Sequence, residues 1–345
     1  MKCSYFMGLL CEMIQNRETA ILCMAKYRLI RKNLENAMHG GGTLDEETGQ
    51  ADQWSEWLLH TRHADDLGYE TVVKEVVGRF ADRVLDDARL YPGMTLLDVG
   101  AGDGLLTFRA IERMGKNVSV VLTDISAPLL RHAEASAARR GVRDQCTFMR
   151  CSAEKLTDIA DSTIDAVVAR ASIAYVPDKK AAFGEFHRVL RPGGRISIAE
   201  PIMQDEAFAA RALRRRLDAP GTQLRDRFLV LLHRWKSAQY PDTEEEYLRW
   251  PLVNFSERDL VSLARGAGFS EVHMQLHIDV VPSLITSWEI FLGSSPHPLA
   301  PSLRTILAER FSAEERQLFE SMVRPTVESG KNMTVERVAY LNSSK

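Results

Sequence analysis

Leu96-Leu97-Asp98-Val99-Gly100-Ala101-Gly102-Asp103-Gly104 decides the fold. An apolar run enters three glycines spaced one residue apart, and a helical pattern follows from Gly104 to Met114. Glycine tolerates the positive φ angles of a tight turn and lets a ligand meet the backbone with no side chain between. The first amides of the following helix lack partners within it and are free to donate. The stretch therefore reads as a buried strand, a ligand-binding turn and a helix. The dinucleotide fingerprint has the spacing G-x-G-x-x-G and rests a pyrophosphate on the helix end. Here the spacing is G-x-G-x-G, with an acid, Asp98, two residues before the first glycine. A carboxylate there repels pyrophosphate and suits a cation.

S-adenosylmethionine carries two cations, a sulfonium and an ammonium. A second acid supports it over a nicotinamide cofactor. Val120-Val121-Leu122-Thr123-Asp124 reads as the next strand, and Asp124 ends it. An acid at this place accepts hydrogen bonds from both ribose hydroxyls.

Working outward, the strand candidates are Thr95 to Val99, Val118 to Thr123, Cys146 to Arg150, Ile164 to Ala169 and Arg195 to Glu200. They alternate with helices at Gly104 to Met114, Ser126 to Arg140 and Asp178 to Leu190. The runs are apolar on both faces, as buried parallel strands are, and the alternation predicts a doubly wound parallel sheet. Arg191-Pro192-Gly193-Gly194 reads as a turn. From Asp52 to Leu90 the pattern is helical, with apolar residues three and four apart at Trp54, Trp57 and Leu58 and then from Val72 to Leu85. After Glu200 come helices from Asp205 to Trp250, broken at Pro220-Gly221 and Pro241, then a helix from Ser256 to Ala267. A strand over Glu271 to Val281, further helices with the last opening at Ser312, and a closing strand over Met333 to Leu341 complete the chain.

Here the chain resembles the class I S-adenosylmethionine-dependent methyltransferases, over roughly Tyr91 to Glu200. The motifs are LLDVGAGDG, LTDIS, CSAEKL, IDAVVARASIAYV and FHRVLRPGGRISIAEP. The resemblance implies a Rossmann-like α/β fold with a mostly parallel, seven-stranded sheet, and S-adenosylmethionine as cofactor. It implies that Asp98, Gly100 and Gly102 line the methionine part and that Asp124 holds the ribose. Ile125 packs on the adenine, with Ser152 and Ala153 at its edge. Arg170 borders the sulfonium and the substrate mouth. Many relatives carry an aspartate where this chain has Ser152, a weaker acceptor; Glu154 is a candidate to compensate.

The chain has 345 residues, 45% apolar and 26% charged, with a net charge of -3. That is the balance of a soluble globular protein, and nothing in it draws the whole molecule to nucleic acid or anionic membrane. No run of 18 apolar residues exists, so no membrane span is expected. Met1 to Leu10 does not read as a signal peptide, since acids and an arginine follow and no small-residue cleavage site does. Arg17 to Met38 can form one helix before the glycines at 40–42, and Met38 is a candidate alternative start. Cys3, Cys11, Cys23, Cys146 and Cys151 make no metal-ligand spacing, and a cytoplasmic setting fits. The segments expected are a peripheral extension (1–42), a helical N-terminal lid (43–90), the cofactor-binding core (91–200), a helical insertion over the substrate (201–255), and a sheet-completing end with a second helical insertion (256–345).

Several acceptors are excluded by comparison with other methyltransferases. The Asn/Asp-Pro-Pro-Tyr motif of amino-methylating nucleic-acid enzymes is missing after the fourth strand, where Arg170-Ala-Ser-Ile-Ala-Tyr175 stands. Catechol-type enzymes place a metal-binding acid where this chain has Arg170, and the cysteine set of arsenite methyltransferases is lacking. A metal-free enzyme for a small molecule, methylating oxygen or nitrogen, remains. The lid is expected around Trp54 to His63. It offers Trp57 and Arg62 to the cofactor, and His60 and His63, with Arg170, as catalytic candidates. Trp54 and Trp57, one helical turn apart, equally suit plain packing. His233, His273 and His277 are further candidate bases, and Arg214 to Arg216 either attract a carboxylate or form a solvated helix face. The competing readings are a cofactor-binding module without turnover and, disfavoured by the glycine spacing, a nucleotide-dependent oxidoreductase.

Overall fold

Strand β1 (Met94–Val99) stands in the interior of the sheet, buried on both sides. Leu96 and Leu97 are fully buried, and their side chains enter two different cores, as the alternation of a strand requires. The computed structural model describes residues 51–219 and 227–345. The expectations for the N-terminal helix, Met38, the glycines at 40–42, Cys3, Cys11, Cys23 and the Pro220-Gly221 break lie outside those residues.

The chain opens with α1 (Gln53–Leu59) and α2 (Leu67–Ala88), then β1, α3 (Leu105–Met114), β2 (Val118–Asp124) and α4 (Ala127–Arg139). Next come β3 (Cys146–Arg150), β4 (Ile164–Arg170), α5 (Lys179–Val189) and β5 (Leu190–Pro201). Beyond them lie α6 (Gln204–Asp218), α7 (Arg227–Lys236), α8 (Glu244–Arg249), α9 (Glu257–Gly266) and β6 (Ser270–Pro282). The last elements are α10 (Trp288–Gly293), α11 (Leu303–Arg310), α12 (Ala313–Glu328) and β7 (Met333–Ser344). The seven strands form one sheet in the order β3-β2-β1-β4-β5-β7-β6. Its first five strands are parallel, and β7 runs antiparallel between β5 and β6. The doubly wound, mostly parallel seven-stranded sheet expected from the sequence is the one observed.

Helices cover both faces. One face carries α2, α3 and α4, whose Leu85, Phe108, Ile111 and Ala133 meet Leu96, Val120 and Val168. The other carries α5 and α9, whose Phe183, Phe186 and Leu260 meet Leu97, Val167 and Ile198. A third, separate core unites α7, α10, α11 and α12 around Trp235, Trp288 and Phe319. These helices pack on one another and stand apart from the sheet's two cores, which is why the strand-helix alternation stops after β5.

Two local readings are corrected. The helical pattern from Asp52 to Leu90 is interrupted between α1 and α2, with Ala64 and Asp65 both at φ 55. That conformation disfavours side chains other than glycine, and Asp66 offsets it by capping α2, accepting from the Tyr69 amide at 2.7 Å. Arg191 to Gly194 is a bulge inside β5 and not a turn before it. Pairing with β4 runs Ile164↔Leu190 and resumes at Ala166↔Arg195, with Gly193 at φ 78 supplying the bend. Arg191 reaches back to Asp165 at 2.6 Å, whose other oxygen accepts from the Thr95 amide at 2.7 Å, so the bulge is tied to β1.

Candidate active site

The carboxyl ends of β1, β2 and β4 open into a cavity of about 320 Å³, placed where an open parallel sheet takes its ligands. Its floor is the glycine turn. Gly100, Gly102 and Gly104 have φ of 65, 57 and 87. A Cβ at Gly100 would lie 2.3 Å from the Cβ of Ser172, and one at Gly102 3.0 Å from Leu58. Backbone thus forms this wall because any side chain would collide with its neighbours.

Asp98 is buried beneath the turn. Its Oδ2 accepts from the Thr107 hydroxyl at 2.7 Å and the Thr107 amide at 3.2 Å. Burial pushes its carboxyl up to about 7, Thr107 opposes this, and the charges of Asp124 and Asp103 add to it. Asp124 ends β2, with Oδ2 accepting from Gly102 N at 2.9 Å and Oδ1 from Ser126 N at 2.8 Å. Burial raises this carboxyl too, against the pull of those amides. Each oxygen of a carboxylate has a further lone pair to offer, and Asp124 lines the cavity. Ser126 both caps α4 and donates to Asp52 at 3.0 Å. Asp52 in turn caps α1 in a box with Ser55, which ties the N-terminal helix to the end of β2.

That tie sets α1 over the cavity as a roof. Trp54, Trp57 and Leu58 of α1 line it, with Arg62 from the turn that follows. Trp57 donates its indole N–H to the Ser295 carbonyl at 3.0 Å, joining the roof to the Pro296-His297-Pro298 loop, whose prolines also line the cavity. His297 between them is fully buried. Burial pushes it down to about 4, and its ring meets the Gln239 carbonyl at 3.0 Å and the Leu299 amide at 3.2 Å. It is a neutral fastener for the loop. The far wall is Pro201, which ends β5, and Met203 just beyond it, with Tyr175 and Val176 after β4.

The loop after β4 hangs from Glu200, the penultimate residue of β5. The Glu200 side chain is fully buried and accepts from the amides of Ser172 at 3.2 Å, Ile173 at 3.1 Å and Ala174 at 2.9 Å. Lys179 braces the loop by donating to the carbonyls of Ala174, Val176 and Pro251. Burial lowers its amine to about 8. Tyr175 meets Trp54 edge to face at 5.2 Å.

Of the residues nominated from sequence, Asp98, Gly100, Gly102, Asp124, Ile125, Ser152, Ala153, Arg170, Trp57 and Arg62 all line this one cavity. The two catalytic histidines do not. The His60 ring lies at the surface against Asp65 at 2.7 Å, and His63 is buried 4.0 Å from Glu70. The break between α1 and α2 swings Arg62 inward and both histidines away. His233 pairs with Asp242 at 2.7 Å, as does Arg214 at 3.1 Å. His273 and His277 lie on β6, and no histidine is among the lining residues. Glu154 does not line the cavity; it takes the Ser152 hydroxyl at 3.1 Å and the Asp178 amide at 2.5 Å. Sequence reasoning did not nominate Glu200, Met203 or the two prolines. Glu200 had a signal, an acid ending an apolar strand.

The site fits S-adenosylmethionine on three observations. Backbone, and not side chains, forms the turn wall. Asp98 is a buried acid that forms no ion pair among the described residues and that a cation would stabilise. Asp124 keeps lone pairs toward the cavity beside Ile125, which is 44% exposed. Asp98 and the turn would hold the methionine part, Asp124 the ribose, and Ile125 with Ala153 the adenine.

Residues 90–240 match the family described as Methyltransferase domain. The chain is 37% identical over 139 residues to nocamycin O-methyltransferase of Saccharothrix syringae, covering 39% of this chain and 47% of that one. It is 27% identical over 226 residues to the ubiquinone/menaquinone biosynthesis C-methyltransferase of Rhizobium meliloti, covering 64% and 84%. It spans about half the length of the nocamycin enzyme and 41% of the corresponding Brucella anthropi C-methyltransferase. Among solved structures it is similar to the YcgJ protein of Bacillus subtilis, with 16% identity, TM-score 0.48, and coverage of 77% and 98%. Over residues 90–240 the chain thus matches a methyltransferase domain, the stretch that also holds the motifs resembling class I S-adenosylmethionine-dependent methyltransferases.

Proposed function

We propose that the chain transfers a methyl group to an oxygen or nitrogen atom of a small molecule held in the cavity, with no need of a metal ion. The observation that carries this is the enclosure of one cavity by two walls: the cofactor-type wall of Asp98, Gly100, Gly102 and Asp124, and the apolar wall of Trp54, Trp57, Leu58, Met203, Pro296 and Pro298. S-adenosylmethionine supplies a methyl group on a sulfonium, which leaves readily to an in-line nucleophile. The residues' task is therefore positioning, a contribution of up to ~7–11 kcal/mol. Tyr175 and the tryptophans shape the acceptor's place, and the roof keeps water from competing for it. Among the described residues no three His, Cys, Asp or Glu side chains group as a metal site, and no helix is long and apolar enough to cross a membrane. We place the protein in the cytoplasm, where the free thiols of Cys146 and Cys151 are at home.

The test has two arms. Calorimetry with S-adenosylhomocysteine should show binding that Asp124→Ala weakens by roughly 1.5–3 kcal/mol, the scale of charge-assisted hydrogen bonds. Incubation with O- and N-nucleophilic small molecules should release S-adenosylhomocysteine. Binding without release from any acceptor points to the module without turnover, and no binding refutes the site.

A further inference from the structure

Arg62 and Arg170 are the two cations lining the cavity, and neither is neutralised by an ion pair among the described residues. Both line it. Arg170 ends β4 on the cofactor side, and Arg62 descends from the roof with its guanidinium 5.4 Å from the centre of the Trp57 ring. Elsewhere the chain neutralises its arginines readily, as Arg109, Arg113, Arg188 and Arg234 show with carboxylates at 2.6–2.8 Å. The side chains of Arg62 and Arg170 make no ion pair or hydrogen bond among the described residues. Burial, and after it the charge of Arg170, lower Arg62 to about 10. The acid nearest in effect to both is Asp103, a single carboxylate that contacts neither within ion-pair distance.

Two like charges brought together under a roof, with Asp103 acting on both but no carboxylate at ion-pair distance among the described residues, destabilise the free protein unless an anion is to arrive. A guanidinium presents its donors as a planar fork that matches an oxyanion. Tyr175 stands in the same wall. Burial and then Glu200 push its phenol far up, so it meets an oxyanion as a donor. The surfaces flanking the two arginines are apolar: Leu58, Met203, Val176, Pro296 and Pro298.

Resting on the methyltransferase reading of this cavity, we propose that the acceptor is an acid with an apolar body, its carboxylate or phosphate held between Arg62 and Arg170. The oxyanion is the handle and not the methylated atom, because its lone pairs are occupied by the guanidinium donors. The nucleophile is elsewhere on the same molecule.

The test uses the protein saturated with S-adenosylhomocysteine. Benzoate, phenyl phosphate and the neutral benzamide are titrated in, with tryptophan emission from Trp54 and Trp57 as the readout. One of the two anions should bind at least tenfold more tightly than benzamide, and the tighter one names the handle. Arg62→Met and Arg170→Met should each bring that ratio close to one, while Arg170→Lys keeps part of it. Benzamide binding as tightly as both anions, or an anion preference that survives both methionine variants, overturns the proposal. A parallel comparison of S-adenosylhomocysteine with methylthioadenosine, which lacks the carboxylate, guards the assignment. If the variants abolish that preference and leave the benzoate preference intact, both arginines serve the cofactor and the proposal falls. Failure of wild-type protein to bind S-adenosylhomocysteine would instead refute the reading of the site beneath it.

Discussion

Glu200→Gln probes how the loop that carries Arg170 and Tyr175 is held. The side chain keeps its shape and loses its charge. Glu200 Oε1 takes two amides, from Ser172 and Ile173, and Oε2 takes the amide of Ala174. Glutamine has one acceptor oxygen, so in its better orientation it keeps two bonds and turns its NH2 onto the Ala174 N–H, donor against donor. A hydrogen bond to a charged group contributes about 1.5–3 kcal/mol and a neutral one about 1, so one bond is lost outright and two fall to neutral strength. Relief from burying the carboxylate, whose cost is visible in its raised pKa, offsets part of this. The expected net loss is roughly 2–4 kcal/mol. Glu200→Ala should cost more, since it strands three buried amides. Urea unfolding of the free protein gives the loss directly. Cofactor affinity should fall as well, because Ser172 packs against Gly100 and donates to the Val99 carbonyl at 2.9 Å. A loss below about 1 kcal/mol for Glu200→Gln, or an alanine variant no worse than the glutamine one, would refute the anchoring argument.

Two further outcomes follow from the geometry. With its folded pKa near 7 against an unfolded value near 3.8, Asp98 holds a proton in the free protein between those limits that the unfolded chain does not. Its contribution to stability therefore falls as pH rises from about 4 to 7. A bound ammonium reverses the preference, so S-adenosylhomocysteine should bind about tenfold more tightly at pH 8 than at pH 6, and Asp98→Asn should flatten that profile in calorimetry. Trp57→Phe keeps an aromatic ring, smaller than the indole, and deletes the bond to Ser295. Thermal stability should drop by about 1 kcal/mol, with a larger proportional fall in turnover, and equal losses of both would mean that the contact only packs.

The cofactor half of the site was legible because its requirements are local. Gly100 and Gly102 must adopt positive φ, Asp98 and Asp124 must end adjacent strands, and such needs leave residue types at fixed spacings. The roof was legible only as composition. Trp57 and Arg62 were nominated for their chemistry, and so were His60 and His63 beside them, although the chain break that sorts inward from outward rests on Ala64 and Asp65, which carry no glycine signal. Glu200, Met203, Pro296 and Pro298 reach the cavity through contacts across 26 to 238 residues, and nothing in their neighbourhoods announces the partner. The Arg191 to Gly194 bulge was misread for a related reason: proline and glycine mark a bend, and only the pairing on both sides shows that the strand resumes.

The two walls of the cavity are written in different parts of the chain. The wall proposed to grip the methyl donor lies within 98–176, inside the stretch that matches the methyltransferase family. The facing wall is assembled from 54–62, 201–203 and 296–298, most of it outside that stretch. The walls touch where Leu58 meets Gly102 and Asp52 meets Ser126, so a change in the facing wall away from those contacts leaves the backbone of the donor wall in place. Arg62 hangs in the facing wall and Arg170 in the donor wall, so the proposed anion handle is the place where the two walls act together.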